Sequence, residues 1–338
     1  MWYKLIRPLL FALDPEFSHN LTLGVLEKLH QCGAFSSVPL MPSSLSVNCF
    51  GLTFPNPIGL AAGLDKNGEC VPAWQSFGFG FVEIGTVTPR PQAGNSKPRL
   101  FRLPANEAVI NRMGFNNKGV DYLVQRVASY KRTCPLGINI GKNKDTPLEA
   151  AAQDYLACFQ KVYALADYVT VNLSSPNTPG LKSLQHGEML RSIIIPLKNE
   201  QERLSGTLGK KVPILVKISP DLEAEELKLI VNDLLDLQIE GIIATNTTIK
   251  RDATLMPRYA KEEGGLSGKP LFRASTEVVR KIHQLAGSDL PIIAVGGVSS
   301  VLEAKEKFAA GAKLVQLYSG LIYQGPGLVT EITQALAK

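Results

Sequence analysis

The sequence predicts an α/β chain folded as a (β/α)8 barrel of the TIM type, with a short N-terminal helical extension. Three observations carry this. Eight short apolar, β-rich segments recur along the chain, helix-like stretches separate most of them, and nearly every segment ends in a polar residue or a glycine. Alternating strand and helix implies parallel strands with right-handed crossovers, and eight such units close into a barrel. A doubly wound open sheet is the alternative, but it is usually complete with fewer strands. With 338 residues and 45% hydrophobic content, the chain can bury one large core.

Residues 1–40 read as the extension and 41–338 as the barrel. Leu5, Ile6, Leu9, Leu10 and Leu13 recur at helical spacing behind Trp2 and Tyr3, with Lys4 and Arg7 among them, and predict a short amphipathic helix. Asp14, Pro15 and Glu16 then predict an N-cap and a second helix running to about His30. On it Phe17, Leu21 and Val25 make one stripe, while His19, Leu23, Leu26 and His30 make a neighbouring one. That much apolar surface needs two partners. Either the pair packs wholly on the main domain, or its second side faces lipid headgroups.

Val47, Cys49, Leu52 and Phe54 alternate around Gly51 and predict a hairpin. The barrel segments follow at Pro57–Leu60, Gly80–Ile84, Gly137–Ile140, Tyr168–Val171, Ile214–Ile218, Gly241–Ala244, Ile292–Val295 and Leu314–Leu317. Helix-like stretches include Asp154–Leu165, Ala224–Leu237, Thr276–Leu285 and Val301–Ala309. Two connections are long, one including Pro89 to Asn117 and the other running from Thr247 to Leu271. Long loops in a compact domain are more often functional than accidental.

The net charge of +6 and a pI of about 9.0 suit an anionic substrate, an acidic membrane surface or RNA, and no block of like charges chooses among them. Cys32, Cys49, Cys70, Cys134 and Cys158 lie far apart without CxxC spacing, so neither a disulfide framework nor a metal site is indicated and a reducing compartment is expected. No apolar run is long enough to span a bilayer, and Pro8 and Asp14-Pro15-Glu16 interrupt any signal-peptide core.

In such a barrel, chemistry belongs at the C-terminal ends of the strands. There the sequence places Ala62-Gly63-Leu64-Asp65-Lys66, Thr86, Asn139, Asn172, Lys217, Thr245-Asn246-Thr247, Gly296-Gly297 and Tyr318-Ser319. The stretch from Asn172 through Ser174, Ser175, Pro176, Asn177, Thr178 and Pro179 to Gly180 is the densest in uncharged hydrogen-bonding groups. Its asparagines donate and accept, which suits a planar ligand with C=O and N–H edges, and a serine between them could move a proton. A turn capping a strand is the plainer reading of the same residues. Gly296-Gly297-Val298-Ser299-Ser300 opens a helix and Tyr318-Ser319-Gly320 follows the last strand, a pairing that suits a phosphate monoester. Lys217 ends an apolar strand, so its ammonium should meet an anion or a ring that becomes anionic. Lys66 could meet a cofactor or a substrate carboxylate, or be a plain surface lysine.

Several blocks together resemble dihydroorotate dehydrogenase of the membrane-associated, quinone-using class, over essentially the whole chain. They are Gly59-Leu60-Ala61-Ala62-Gly63-Leu64-Asp65-Lys66-Asn67, Asn111-Arg112-Met113-Gly114-Phe115-Asn116-Asn117, the Asn172 loop, Val216-Lys217-Ile218, Thr245-Asn246-Thr247 and Gly296-Gly297-Val298. The resemblance implies FMN as cofactor and oxidation of dihydroorotate to orotate in de novo pyrimidine (UMP) synthesis, with a membrane quinone as final acceptor. It implies flavin contacts at Ala62, Gly63, Leu64, Asp65, Lys66, Thr86, Asn139, Asn172, Lys217, Thr245, Gly268, Gly297, Tyr318 and Ser319. Pyrimidine contacts would be Lys66, Asn111, Arg112, Met113, Gly114, Phe115, Asn172, Asn177, Asn246 and Thr247. Ser175 matches the base that takes the C5 proton, helped by closure of the loop 176–187 and a partner such as Thr178, and Lys217 would steady negative charge on the reduced flavin. The N-terminal helices match a quinone tunnel with His19 and Arg102 at the quinone oxygens, although His19 also reads as a core histidine. A monomer without a nucleic-acid partner, peripheral on the cytoplasmic face of the cell membrane, is what the resemblance implies. A tRNA dihydrouridine synthase shares a related core, but Ser175 stands where that enzyme class has cysteine.

Overall fold

The computed structural model describes residues 3–35, 42–178, 180–251 and 255–338. Trp2, Pro179 and the boundary near residue 40 lie outside the described residues. Thirteen strands occur among them: β1 (Val47–Cys49), β2 (Leu52–Phe54), β3 (Ile58–Leu60), β4 (Phe81–Val87), β5 (Leu100–Leu103), β6 (Ala108–Asn111), β7 (Leu136–Ile140), β8 (Tyr168–Asn172), β9 (Ile214–Ile218), β10 (Gly241–Ala244), β11 (Gly265–Gly268), β12 (Ile292–Val295) and β13 (Leu314–Leu317). The helices in the same order are α1 (Tyr3–Ala12), α2 (Pro15–Gln31), α3 (Val71–Ser76), α4 (Val120–Ala128), α5 (Ala151–Val162), α6 (Gly187–Leu208), α7 (Ala224–Asp236), α8 (Pro257–Ala260), α9 (Phe272–Ala286), α10 (Val301–Ala309), α11 (Ser319–Gln324) and α12 (Gly327–Leu336).

The eight expected strands close a parallel barrel in the order β3, β4, β7, β8, β9, β10, β12, β13, and β13 returns to β3 with Leu317 opposite Leu60. These strands are buried on both faces, which is why they are apolar runs and not alternating patterns. Hairpin β1–β2 plugs the N-terminal end. Phe54 meets Phe81 edge-to-face at 5.3 Å, and Phe81 meets Tyr168 at 6.4 Å, filling the lower barrel. Glycine is required opposite these rings, because a Cβ on Gly59 or Gly137 would lie 2.3 or 2.1 Å from Phe81 or Tyr168. With its base packed by aromatics, the barrel opens only at the other end.

The two long connections are not merely loops. They contribute β5, β6 and β11, which form an antiparallel sheet in the order β11-β6-β5 across the C-terminal mouth, with Gly265 opposite Asn111. Strands of four residues leave little periodic trace in sequence, and β11 lies about 150 residues from its partner β6.

Asp14 caps α2 by accepting from the N–H groups of Glu16 and Phe17 at 3.0 and 2.9 Å. The two stripes of α2 then part company. Leu23 and Leu26 pack on the main core, whereas Phe17, Leu21, Val25 and Leu29 are exposed, as are Leu5 and Leu9 of α1. Glu16 and Arg99 form a buried ion pair that ties α2 to the segment entering β5.

Candidate active site

An open cavity sits at the C-terminal mouth of the barrel. Of the expected cofactor and pyrimidine residues, it is lined by Ala62, Gly63, Lys66, Thr86, Asn111, Met113, Gly114, Phe115, Asn172, Asn177, Lys217, Thr245, Asn246, Thr247, Gly268, Gly297, Tyr318 and Ser319, together with Ser175. Asn139 is fully buried just below: it accepts from Thr86 Oγ1 at 2.6 Å and from Asn172 Nδ2 at 3.3 Å. Three expected side chains go elsewhere. Leu64 faces a second cavity, and the Asp65 carboxylate turns to the start of α3, accepting from Glu69 N–H, Cys70 N–H and Trp74 Nε1. Arg112 pairs with Glu262 and stacks over Phe101, so it can serve the pyrimidine loop only through its backbone.

The amide groups are held in fixed directions. Asn172 Nδ2 donates to Thr86 Oγ1 at 3.0 Å and its Oδ1 accepts from Asn246 at 3.2 Å. Asn177 Nδ2 donates to Asn111 Oδ1 at 3.3 Å, and Asn177 N–H donates to Ser175 Oγ at 3.3 Å. Thr178, the expected partner of Ser175, is buried nearby. Two cations face this amide wall. Burial lowers the Lys66 ammonium to about 8, with the Arg99 charge adding to the effect. Burial also lowers Lys217, and the negative Glu83 partly offsets it.

Glu83 is fully buried in the barrel below the cavity and accepts from Asn139 Nδ2 at 2.8 Å, Tyr168 Oη at 3.0 Å and Gln316 Nε2 at 2.7 Å. Gln316 lines the cavity, and its Oε1 has no partner among the described residues. Neither residue was singled out from the sequence, nor was Ser267, whose hydroxyl lies 2.8 Å from that of Ser319. The signal was available for two of them. Lys217 is a charged side chain in an apolar strand, and Glu83 and Gln316 share the feature of a charged or amide group in such a strand.

Beside β12 and β13 the backbone forms a cradle. Gly296 and Gly297 take positive φ of 124° and 79°, and a Cβ on Gly320 would lie 2.0 Å from the Val298 carbonyl. The Ser319 hydroxyl and the Gly268 turn complete the wall. This close, side-chain-free approach suits a phosphate group, and the unpaired Gln316 Oε1 suits an N–H of a planar ring, so the residues present fit a flavin phosphate.

The second cavity lies between the N-terminal helices and the barrel. Leu10, Phe11, Leu23, Leu26, Leu64, Trp74 and Ile322 make it apolar, and His19 and Arg102 both line it. Burial lowers His19 to about 3, and the charge of Lys66 is the next contribution, so the imidazole is neutral and within electrostatic reach of the first site. Arg102 donates to the carbonyls of Leu10 and Leu13 and lies 4.7 Å over the Phe11 ring, and burial lowers its pKa. Its apolar stripe also fits a core histidine, but among the described residues the His19 side chain has no hydrogen-bond partner and it faces the cavity.

A polar cavity at the mouth of a closed (β/α)8 barrel, with a glycine-lined cradle on one side and a separate apolar cavity against it, is an arrangement that suits a flavin-using oxidoreductase. A family model described as dihydroorotate dehydrogenase matches residues 44–338. Relatives called dihydroorotate dehydrogenase (quinone) from Vibrio parahaemolyticus and Shewanella frigidimarina are 54% and 51% identical, covering 99% of this chain and 100% and 99% of theirs. A crystal structure of ligand-free DHODH from Eimeria tenella superposes with a TM-score of 0.88 at 41% identity, covering 96% of this chain and 94% of that one. The chain belongs to the dihydroorotate dehydrogenase family, and its full-length relatives place it in the quinone-dependent class.

Proposed function

We propose that this chain oxidises dihydroorotate to orotate at the barrel mouth, with FMN as cofactor, and passes the electrons to a membrane quinone in the second cavity, in de novo UMP synthesis. One observation carries the reading: Asn111, Asn172, Asn177 and Asn246 converge with Ser175 on one wall of a cavity whose other groups include Lys66 and Lys217. Four fixed amides can read the C=O and N–H edges of a uracil-like ring, and Lys66 can offset its carboxylate. The cradle of Gly297, Ser319 and Gly320 would hold the phosphate of FMN, and Lys217 and Gln316 would face its ring. Bound there, the flavin supplies a two-electron acceptor for the hydride from C6 of the substrate.

The protein's part is positional. Ser175 Oγ, buried and held by the Asn177 N–H, takes the C5 proton, and Lys217 places a fixed positive charge where negative charge accumulates. Asn172 and Thr86 hold one another so that the amide cannot flip when substrate leaves. His19 and Arg102 offer a neutral ring and a cation to the quinone oxygens.

No described helix is long and apolar enough to cross a membrane. The exposed Leu5, Leu9, Phe17, Leu21, Val25 and Leu29, with Lys4 beside them, support attachment to a membrane surface, which the proposal takes to be that of a monomer on the cytoplasmic face. The direct test is spectroscopic. Anaerobic dihydroorotate should bleach the bound flavin and release orotate, and a flavin that keeps its colour would refute the assignment.

A further inference from the structure

Glu16 belongs to the extension, yet its contacts lead to the pyrimidine wall. Its carboxylate accepts from Arg99 Nε at 3.1 Å and from Nη2 at 2.7 Å, a two-point pairing in which both residues are 6% exposed. Burial alone would raise the Glu16 carboxyl, but the hydrogen bonds and charge of Arg99, with Lys97, hold it below its usual value. The remaining Arg99 nitrogen, Nη1, donates to the carbonyls of Ala93 and Asn95, both at 2.7 Å. Between them Gly94 takes a φ of 80°, and a Cβ there would lie 2.9 Å from the same Nη1 and 2.3 Å from Met113 O. The turn is therefore wrapped on the guanidinium.

Asn95 carries the connection onward. Its Nδ2 donates to Arg112 O at 3.0 Å and to Asn177 O at 3.3 Å, and its N–H donates to Met113 O at 3.0 Å. It thus grips both loops that supply pyrimidine contacts, one through Asn111 to Phe115 and the other through Ser175 to Asn177. Those loops meet directly where Asn177 donates to Asn111. Glu16 itself is not among the residues lining either cavity.

We propose that Glu16 is a positioning residue for the pyrimidine site: by orienting Arg99 it fixes the 93–95 turn, and through Asn95 it holds the two asparagine loops at their working separation. The N-terminal helices then serve the dehydrogenation half of the turnover as well as quinone access. This rests on the pyrimidine reading given above, and the test separates the two.

Glu16→Gln keeps the shape and one acceptor but removes the charge that orients the guanidinium. With full flavin content, orotate affinity should fall on the order of tenfold, the size of coupling seen within one hydrogen-bond network. The KM for dihydroorotate should rise with it, while the KM for quinone holds. Because an unpaired buried Arg99 also strains the fold, Glu16→Met with Arg99→Met serves as the second variant. Replacing both charges restores packing without restoring the anchor, so melting should recover while orotate binding stays weak. Wild-type orotate affinity in either flavin-loaded variant, or a change confined to quinone KM, would overturn the proposal. Asn111→Ala is the control: if it too leaves orotate binding intact, the pyrimidine reading fails. If it weakens binding while Glu16→Gln does not, only the positioning role fails.

Discussion

Asn246 Nδ2 lies 3.2 Å from Asn172 Oδ1, joining the ends of β10 and β8 over the strand between them, and that strand, β9, carries Lys217. Ser174, two residues after Asn172, donates to the Lys217 carbonyl at 2.7 Å, so this backbone too is fixed. Among the described residues no carboxylate forms an ion pair with the Lys217 ammonium; Glu83, deeper in the barrel, acts on it only through space. A buried cation without a contacting partner is costly, which is reason to expect an anionic one in the working enzyme.

Lys217→Met should accordingly leave the reduced flavin without its counter-charge. Potentiometric titration should show a more negative midpoint potential, or flavin should be lost on gel filtration. An unchanged potential at full occupancy would mean that the lysine has another task.

Ser175→Ala should retain flavin and bind orotate, but slow anaerobic flavin bleaching by roughly 10²–10⁴-fold, the usual worth of a positioned acid–base group. Bleaching at the wild-type rate in a stopped-flow trace would remove Ser175 from the mechanism.

Lys66 sets an alkaline limit. Burial lowers its ammonium to about 8, so the charge proposed to meet the substrate carboxylate disappears as pH rises through that value. For dihydroorotate, kcat/KM should fall above about pH 8, and Lys66→Arg, which stays charged, should move that limb upward. The same limb in Lys66→Arg would assign it to another group.

Lys307 on α10 offers a stability test. Fully buried, it donates to Ser275 at 2.6 Å, behind the Gly296 carbonyl, and burial lowers it to about 7 from an ordinary 10.5. Between those values the unfolded chain binds the proton and the folded chain does not, so this lysine makes stability rise with pH through the window. Lys307→Met removes that slope. Melting curves should show the variant's stability relative to wild type falling between about pH 7 and pH 10. A pH-independent difference would mean that the group keeps its charge.

Much of this was legible in the sequence because the barrel strands are doubly buried. Segments such as Ile292–Val295 stand out as apolar runs, and the polar residue or glycine after most of them marks the mouth. Asp14-Pro15-Glu16 announced α2 by local capping chemistry alone. What stayed hidden depends on partners remote in sequence. Gly265–Gly268 is a strand only because β6 lies beside it. Glu16 looked like an ordinary first-turn carboxylate, favourable to the helix dipole, and only the fold shows Arg99 against it. Asp65 and Arg112 sit in motifs that line the cavity, yet their side chains serve α3 and Glu262.

The central claim is that one chain keeps two cavities for two half-reactions, and double mixing tests it directly. Thr22 lines the apolar cavity and not the polar one, so Thr22→Trp should obstruct quinone without touching the pyrimidine wall. Mixed anaerobically with dihydroorotate and then with a long-tailed quinone, the variant should bleach at the wild-type rate, while its colour should return at least about tenfold more slowly, equivalent to about 1.4 kcal/mol in barrier. Recovery as fast as wild type, or slowed bleaching with normal recovery, would contradict the assignment of the second cavity to quinone.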